Sequence, residues 1–410
     1  MSSRRDRLSK WQTRLVQPRS SSPPGFRSLA VPTYRASTTV FPDVESLRDS
    51  WDRDEIPYAY GLYGTPTTLE LAAALAELEG GTRTLVTPGG QAALSLVYTA
   101  LLRRGSHVLV PESIYGPSRD FADIVLNRFG VAVSYYPPTI GAGIEALFKP
   151  NTCLVWCESP GSITMEVQDV PAIAEVAHAH SAVVALDNTW SAGVYFSAFD
   201  HGVDVSIQAL TKYVGGHSDL FLGSVTTVDR SLYRQLGEVQ YLLGYGASPD
   251  DCSLALRGLQ TLAVRLEAAQ TSAMTIAEWL SQRPEVEAVL HPALASCPGH
   301  EIWQRDFIGA SGLFSFVFAP RFTKADVTNF VNLLTLFRIG YSWGGVTSLA
   351  IPGRNETTRP DYQYGDRLVR LSIGLESTSD LISDLERALV TCRASRRHVS
   401  RLRKHTNTIV

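Results

Sequence analysis

The stretch VDVSIQALTKYVGGHSD, residues 203–219, is the most informative part of the sequence, because it has the pattern of a buried strand followed by a lysine and a glycine-rich turn. The apolar run stops at Thr211 and Lys212, and Gly215 and Gly216 follow. Ligands of open α/β sheets bind at the carboxyl ends of the parallel strands, which is where Lys212 is expected to lie. Partial burial there frees a lysine amine for a Schiff base. On its own, however, Lys212 is better explained as an ordinary strand-end lysine in water.

Short apolar runs alternate with helical stretches around this segment. Seven of them are predicted to be strands: 84–87, 107–110, 131–136, 153–157, 182–187, 205–210 and 222–228. Helices are predicted at 69–79, capped by Thr67 and Thr68 and closed by Gly80 and Gly81, and at 91–103, 117–128 and 171–180. Continuous apolar runs suit strands buried on both faces, and their alternation with helices predicts a mostly parallel, seven-stranded sheet.

The pattern changes near residue 253, where a long helical stretch leads into a region with fewer strands, at 286–290, 312–318 and 368–373. Residues 1–65 carry Pro23, Pro24, Pro32, Pro42 and Pro57 and show little periodicity. We therefore expect an extended arm (1–65), a ligand-binding α/β domain (66–262), a smaller C-terminal α/β domain (263–395) and a solvated, frayed basic tail (396–410).

Composition places the chain among globular enzymes. Its 410 residues are 44% hydrophobic and 19% charged, with a formal net charge of -3, so no bulk field points to nucleic acid. No apolar run reaches about 18 residues, so no membrane span is expected. Cys153 and Cys157 could form half of a metal site, but no second pair accompanies them, and free thiols are the better prediction. Free thiols fit the cytoplasm.

A second strand end strengthens the case for Lys212. The run AVVALDNTW places Asp187 just after a buried strand, where a carboxylate is unfavourable unless it meets a partner. A lysine Schiff base with an aspartate opposite a protonated ring nitrogen is the recurring arrangement for pyridoxal phosphate (PLP). Asp187 could instead cap the following turn.

Three further elements are compatible with such a site. TPGGQAAL (87–94) joins a strand to a helix through Gly89 and Gly90, so backbone N–H groups and a positive helix end can face a phosphate. Tyr115 follows another strand and could stack on a coenzyme ring, or pack for its own burial. Arg370 lies within the apolar stretch LVRLSIGLE, where a substrate carboxylate or a structural salt bridge would satisfy it.

Taken together, these residues identify a resemblance to the Cys/Met-metabolism family of PLP enzymes, and within it to the bacterial members that cleave the Cβ–S bond of cystathionine. It covers about residues 15–395 and includes PTYRASTTVF, ESPGSITMEVQDVPAI, DNTWSAGV, DVSIQALTKY, YSWGG and VRLSIGLE. The resemblance implies PLP fold type I (aspartate-aminotransferase-like), β-elimination on cystathionine or another cysteine S-conjugate, and a homotetramer built from dimers that share active sites.

The resemblance also implies roles. Lys212 is similar to the coenzyme-binding lysine and catalytic base, Asp187 to the partner of the ring nitrogen, and Tyr115 to the tyrosine stacked on the ring. The remaining cofactor positions are Gly89, Gly90, Gln91, Thr211 and Tyr60, the last reaching across from a neighbouring subunit. The substrate positions are Arg370, Ser342, Trp343 and Tyr341.

Two positions qualify this hypothesis. Leu62 stands where the family usually has a phosphate-pairing arginine, and it can neither carry charge nor donate a hydrogen bond. Tyr341 stands where relatives that work at Cγ commonly carry a glutamate, which favours β-elimination, and its bulk is expected to narrow the substrate pocket. The alternatives are a γ-lyase or γ-synthase of the same family, or a non-catalytic relative.

Overall fold

The computed structural model describes residues 10–17, 28–52, 55–353, 362 and 364–406. The strands are β1 (Arg83–Thr87), β2 (His107–Pro111), β3 (Ala132–Tyr136), β4 (Thr152–Glu158), β5 (Val183–Asp187), β6 (Val205–Ala209), β7 (Gly223–Thr227), β8 (Val286–Leu290), β9 (Leu313–Phe318), β10 (Leu349–Pro352) and β11 (Leu368–Ser372). The helices are α1 (Trp11–Val16), α2 (Pro66–Glu79), α3 (Gly90–Leu101), α4 (Gly116–Asp120), α5 (Val170–Ala179), α6 (Arg230–Leu243), α7 (Pro249–Ser281), α8 (His300–Asp306), α9 (Lys324–Leu333) and α10 (Thr378–Thr406).

The first sheet contains all seven strands that the apolar runs predict, in the order β1-β7-β6-β5-β4-β2-β3. Strand β7 runs antiparallel to both of its neighbours, and the remaining neighbours pair in parallel. The prediction of a mostly parallel, seven-stranded sheet is therefore confirmed. In this arrangement the carboxyl ends of β4, β5 and β6 lie side by side, and the candidate site is built there.

Helices cover both faces of this sheet, which explains why its strands are continuous apolar runs. Successive side chains of a strand point to opposite faces. Leu154 and Trp156 accordingly pack in the cluster that contains residues of α3 and α6, whereas Val155 and Cys157 pack in the cluster with α2, α5 and α7. Because both sets are fully buried, a polar substitution within β4 would be unfavourable on either face.

The second sheet has the order β10-β11-β9-β8 and is antiparallel throughout. Its strands β8, β9 and β11 confirm the three later predictions, whereas the edge strand β10 was missed. That strand has only four residues and ends in Pro352, and proline is a signal against a strand. All strands of the first sheet precede residue 228 and those of the second follow residue 285; the division expected at about 262 falls within α7, which links the two sheets, and stays a prediction.

Two local predictions about helices were wrong in detail. Helix α2 begins at Pro66, so Thr67 lies within its first turn and does not cap it. Its hydroxyl instead bonds the arm, donating to the carbonyl of Pro32 and accepting from the N–H of Tyr34 at 2.8 Å each. The predicted helix at 117–128 is the short α4 followed by a π-helical stretch, Phe121–Leu126.

The two ends of the chain are described in part. The arm contains α1 and a short 3₁₀-helix, Gly61–Tyr63, and is otherwise irregular in its described residues; Pro23 and Pro24 lie outside them. At the other end the backbone is helical as far as Thr406 and not frayed, and residues 407–410 lie outside the described part. None of the described helices combines the length and the apolar character that crossing a membrane requires.

Candidate active site

Lys212 lies in the tight turn that follows β6. Its N–H donates to the carbonyl of Ala209 at 3.1 Å, and its own carbonyl accepts from the N–H of Gly216 at 2.7 Å, so the turn is closed on both sides of the lysine. The amine lies 5.6 Å from the ring centroid of Trp343. Burial lowers the pKa of Lys212, an effect that the charge of Asp187 opposes. A neutral amine, which this environment favours, is the form that attacks a carbonyl carbon.

Asp187 is the last residue of β5, and it pairs in register with Glu158 at the end of β4. One of its oxygens, Oδ1, accepts from the N–H of Thr189 at 3.0 Å and from the Thr189 hydroxyl at 2.5 Å. Burial raises the pKa of Asp187, while Thr189 and the Lys212 charge lower it. Oδ1 of Asp187 therefore caps the turn that follows β5, as the sequence had suggested. Its other oxygen, Oδ2, accepts no hydrogen bond from the described residues.

The Gly-Gly turn lies beside the same strand ends. Gly89 precedes α3 with no side chain capping the helix, and an added Cβ at Gly89 would meet nothing within 4 Å. An added Cβ at Gly90 would lie 2.6 Å from Cβ of Ala209, so the helix start packs directly against the end of β6. The turn thus presents backbone N–H groups to open space next to the lysine turn, an arrangement suited to a phosphate.

Two of the predicted cofactor residues have other contacts in the structure. Gln91 donates through Nε2 to the carbonyl of Pro117 at 3.1 Å, so its side chain holds the start of α4. The Thr211 hydroxyl bonds the backbone of Leu222 at 3.3 Å. For Gln91, the backbone N–H is the group that remains suited to bind an anion.

Tyr115 immediately precedes α4, and its position depends on a residue that the sequence analysis missed. Its N–H donates to Oε2 of the buried Glu158 at 2.7 Å. Burial and the neighbouring charge of Asp187 raise the pKa of Glu158 well above its usual range. The Tyr115 side chain itself is 42% exposed. The signal for Glu158 was available, because it follows the apolar run CLVWC as Asp187 follows AVVAL.

The second sheet contributes Arg370, which lies on β11 between the neighbouring strands β9 and β10. Its Nη2 donates to the carbonyl of Ser342 at 2.9 Å, and burial lowers the pKa of Arg370 to about 10. No carboxylate of the described residues forms an ion pair with it. Ser342 has a φ of +72°, and the following Trp343 packs edge-on against Tyr213 at 5.4 Å. The segment that carries Ser342 is thereby fixed against the lysine turn.

Arg265 of α7 is a second residue that the sequence did not reveal. It is 6% exposed and donates to the carbonyls of Tyr213 and Gly258, at 2.7 Å each, and to the Thr261 hydroxyl at 3.0 Å. The bond to the carbonyl of Tyr213 holds the residue directly after Lys212. An arginine in a long helix is ordinarily solvated, so nothing in the local pattern could have indicated this contact.

Tyr60 and Leu62 are not brought into this cluster. Tyr60 is 47% exposed and forms an isolated bridge with Thr38 in the arm. Leu62 packs against the turn at Gly246, where an added Cβ would lie 2.8 Å from its Cδ1. Tyr341 is 77% exposed and interacts electrostatically with Arg370, opposing the fall in the pKa of that guanidinium, so within one chain it stands at the rim of the site; its narrowing of the substrate pocket stays a prediction.

The geometry fits one kind of coenzyme. The amine of Lys212 suits an aldehyde, the free Oδ2 of Asp187 suits a protonated ring nitrogen, and the open turn at Gly89 suits a phosphate. Pyridoxal phosphate carries these three groups on one ring. Arg370 then offers a planar fork for the carboxylate of an amino acid. Fold and site together define a PLP enzyme that acts on amino acids.

The chain belongs to the Cys/Met metabolism PLP-dependent enzyme family, whose model matches residues 12–390. It is 43% identical to the cystathionine beta-lyase MetC of Escherichia coli K12, over 86% of this chain and 91% of that protein. It is 37% identical to an L-alanine/L-glutamate racemase of Wolbachia pipientis, over 88% and 92%. Among solved structures it is similar to metB from Corynebacterium glutamicum, with a TM-score of 0.88 and 29% identity over 94% of this chain and 99% of that one. The predicted fold class, family and cofactor are thereby confirmed.

Proposed function

We propose that this chain is a PLP-dependent carbon–sulfur β-lyase. It converts cystathionine, or another cysteine S-conjugate, and water into a thiol, pyruvate and ammonia; cystathionine gives homocysteine. The observation that carries the proposal is the half-buried Lys212 beside Asp187, faced from the second sheet by an arginine without a carboxylate partner among the described residues. The similarity to a protein named cystathionine beta-lyase supports the same reaction.

Each step of the proposed β-elimination is assigned to a residue of the site. Pyridoxal phosphate, when bound, supplies an electron sink for the pair released at Cα. Arg370 binds the substrate carboxylate, and Ser342, whose carbonyl holds Arg370, fixes its orientation. The Lys212 amine removes the Cα proton as a general base, and the thiolate leaves from Cβ. Tyr115, whose backbone N–H is held by Glu158, is proposed to give a proton to the departing sulfur.

Three observations support β-elimination by an active enzyme over the alternatives. The residue before Ser342 is Tyr341, so this position carries no carboxylate of the kind that relatives working at Cγ commonly use. A non-catalytic relative would have no reason to keep Lys212, Asp187, Tyr115 and Arg370. Leu62 is the one substitution that favours such a protein, and its contact with the turn at Gly246 is structural.

Amino-acid racemisation is a second candidate activity, favoured by the similarity to the Wolbachia racemase. It begins with the same removal of a Cα proton by Lys212. Alanine has no leaving group at Cβ, so the proton must return to Cα, and return from the opposite face inverts the centre. The same site would therefore eliminate from cysteine conjugates and racemise alanine.

The assembly and location are further parts of the proposal. We propose a homotetramer built from dimers in which Tyr60 reaches the neighbouring active site; its exposed position on the arm supports this arrangement. We also propose a cytoplasmic enzyme, because the five cysteines of the described residues are all free thiols, as a reducing compartment favours.

The test is release of keto acid from PLP-loaded protein offered L-cystathionine, L-cystine and an S-alkyl cysteine. We expect pyruvate that is lost in Lys212→Ala, and the ranking of kcat/KM identifies the preferred conjugate. The appearance of 2-oxobutyrate would move the chemistry to Cγ. In parallel, L-alanine should be followed for D-alanine: a higher kcat/KM for alanine than for every conjugate would make racemisation the main activity. No turnover of any of these substrates would overturn the proposal.

A further inference from the structure

Thr189 connects the two strand ends that carry the proposed chemistry. It is buried, and it donates twice to the same carboxylate oxygen of Asp187, once from its N–H and once from its hydroxyl. A hydroxyl has one proton to donate and can accept as well. Because the proton of Thr189 goes to Asp187, its lone pairs are available to a donor elsewhere.

That donor is the N–H of Ala209, the last residue of the next strand, which bonds the Thr189 oxygen at 2.9 Å. The carbonyl of Ala209 in turn accepts the N–H of Lys212 at 3.1 Å. A continuous chain of hydrogen bonds therefore runs from Oδ1 of Asp187 through Thr189 and Ala209 to the backbone of Lys212. The start of α3 at Gly90 packs against Cβ of the same Ala209.

We propose that Thr189 is a positioning residue that sets Asp187 in register with Lys212 and keeps its second oxygen directed at the coenzyme ring. The direction of the bonds matters. An N–H on β6 can only donate, so it orients the hydroxyl proton toward Asp187. Two donors on Oδ1 favour the ionised carboxylate and restrict its rotation. Oδ2, which no described donor engages, is then the oxygen available to a protonated ring nitrogen.

The inference rests on the proposed role of Asp187, and coenzyme affinity tests it. Thr189→Val keeps the shape and removes the hydroxyl. We expect its dissociation constant for PLP, measured by titrating coenzyme-free protein and following the visible absorption, to rise by about 10- to 100-fold. Thr189→Ser restores the hydroxyl and should stay within about threefold of the natural protein. A lowered kcat with little change in KM should accompany the loss in Thr189→Val, because the substrate carboxylate binds elsewhere.

Thr227→Val is the matched control. Thr227 is buried in the same sheet, donates to the carbonyl of Asp204 at 2.8 Å and accepts the N–H of Asp229 at 3.1 Å, so this variant also removes one donor and one acceptor. It should bind PLP as the natural protein does. Equal affinity of Thr189→Val and Thr227→Val for PLP would overturn the proposal. If Thr189→Val does not fold, Thr189→Ala carries the same comparison.

A double-mutant cycle separates positioning from general stability. In Asp187→Asn, a positioning role predicts that adding Thr189→Val lowers PLP affinity by less than about threefold, since the carboxylate charge that Thr189 positions is already lost. If the loss of PLP affinity in the double variant equals the product of the losses in the two single variants, Thr189 acts independently of Asp187 and the proposal is overturned. Failure of the β-lyase proposal gives a different result: no keto acid from the natural protein, with the PLP affinities still following this pattern.

Discussion

Replacing Gly90 with alanine should damage the site without touching any charged group. The added Cβ would lie 2.6 Å from Cβ and 3.2 Å from Cα of Ala209, whereas carbon atoms in contact are about 3.5–4.0 Å apart. The start of α3 must therefore retreat by about 1 Å. Overpacking of this kind costs about 1–3 kcal/mol, and the better helix propensity of alanine offsets up to about 1 kcal/mol of it.

The assay is thermal unfolding of coenzyme-free protein together with kcat/KM of the loaded enzyme. A net loss of about 1–2 kcal/mol predicts a Tm lower by roughly 2–8 °C in a domain of this size. A shift of about 1 Å in the phosphate turn predicts a loss of about 100-fold in kcat/KM. Gly116→Ala is the matched control, since Gly116 is also the first residue of a helix and an added Cβ there would meet nothing within 4 Å. Equal Tm and equal kcat/KM for the two variants would contradict the predicted clash between Gly90→Ala and Ala209.

Substitutions at three other residues probe separate parts of the site and fold. Glu158→Gln keeps an oxygen for the N–H of Tyr115 and should lose less than about tenfold in kcat. Glu158→Ala leaves that N–H unpaired and should lose about 10- to 100-fold. Similar values of kcat for both variants would show that the bond between Glu158 and Tyr115 does not matter for turnover. Arg370→Lys replaces a planar fork by a point charge and should raise KM at least about tenfold while PLP affinity stays the same. Burial lowers the pKa of His107 to about 4, against about 6.5 unfolded, so the unfolded chain takes up the proton first and stability falls as pH drops from about 6.5 to 4. At pH 5.5 this protonation lowers the free energy of unfolding by roughly 1.4 kcal/mol, a loss that His107→Gln should not show in urea unfolding. The same pH dependence of stability in both proteins would contradict the assignment to His107.

The strands could be predicted because their signal is local. Each strand of the first sheet is a short apolar run between turns, and in the interior strands burial on both faces makes the run continuous. The failures also have local causes. Pro66 starts α2 before the threonines expected to cap it, and Pro352 hides a four-residue edge strand.

The site was predictable to the extent that its residues end strands. Lys212 and Asp187 are recognisable as polar residues that follow apolar runs, and Glu158 has the same position after CLVWC. Arg265 and Thr189 do not, because their roles come from partners 52 and 20 residues away. A pattern read along the chain shows which side chain ends a strand, but not which distant backbone group will hold it.

The pKa shifts of three charged groups at this site all favour the neutral form, which the stability of the fold does not explain. Burial raises the pKa of Asp187 and lowers those of Lys212 and Arg370, so each group is pushed toward its neutral form. A fold optimised only for stability would pair such groups with one another or replace them. A ring nitrogen beside Asp187 and an amino-acid carboxylate beside Arg370 would each supply the opposite charge. Coenzyme and substrate then stabilise the fold by the interactions that prepare them to react, and coenzyme binding should raise Tm as well as activity.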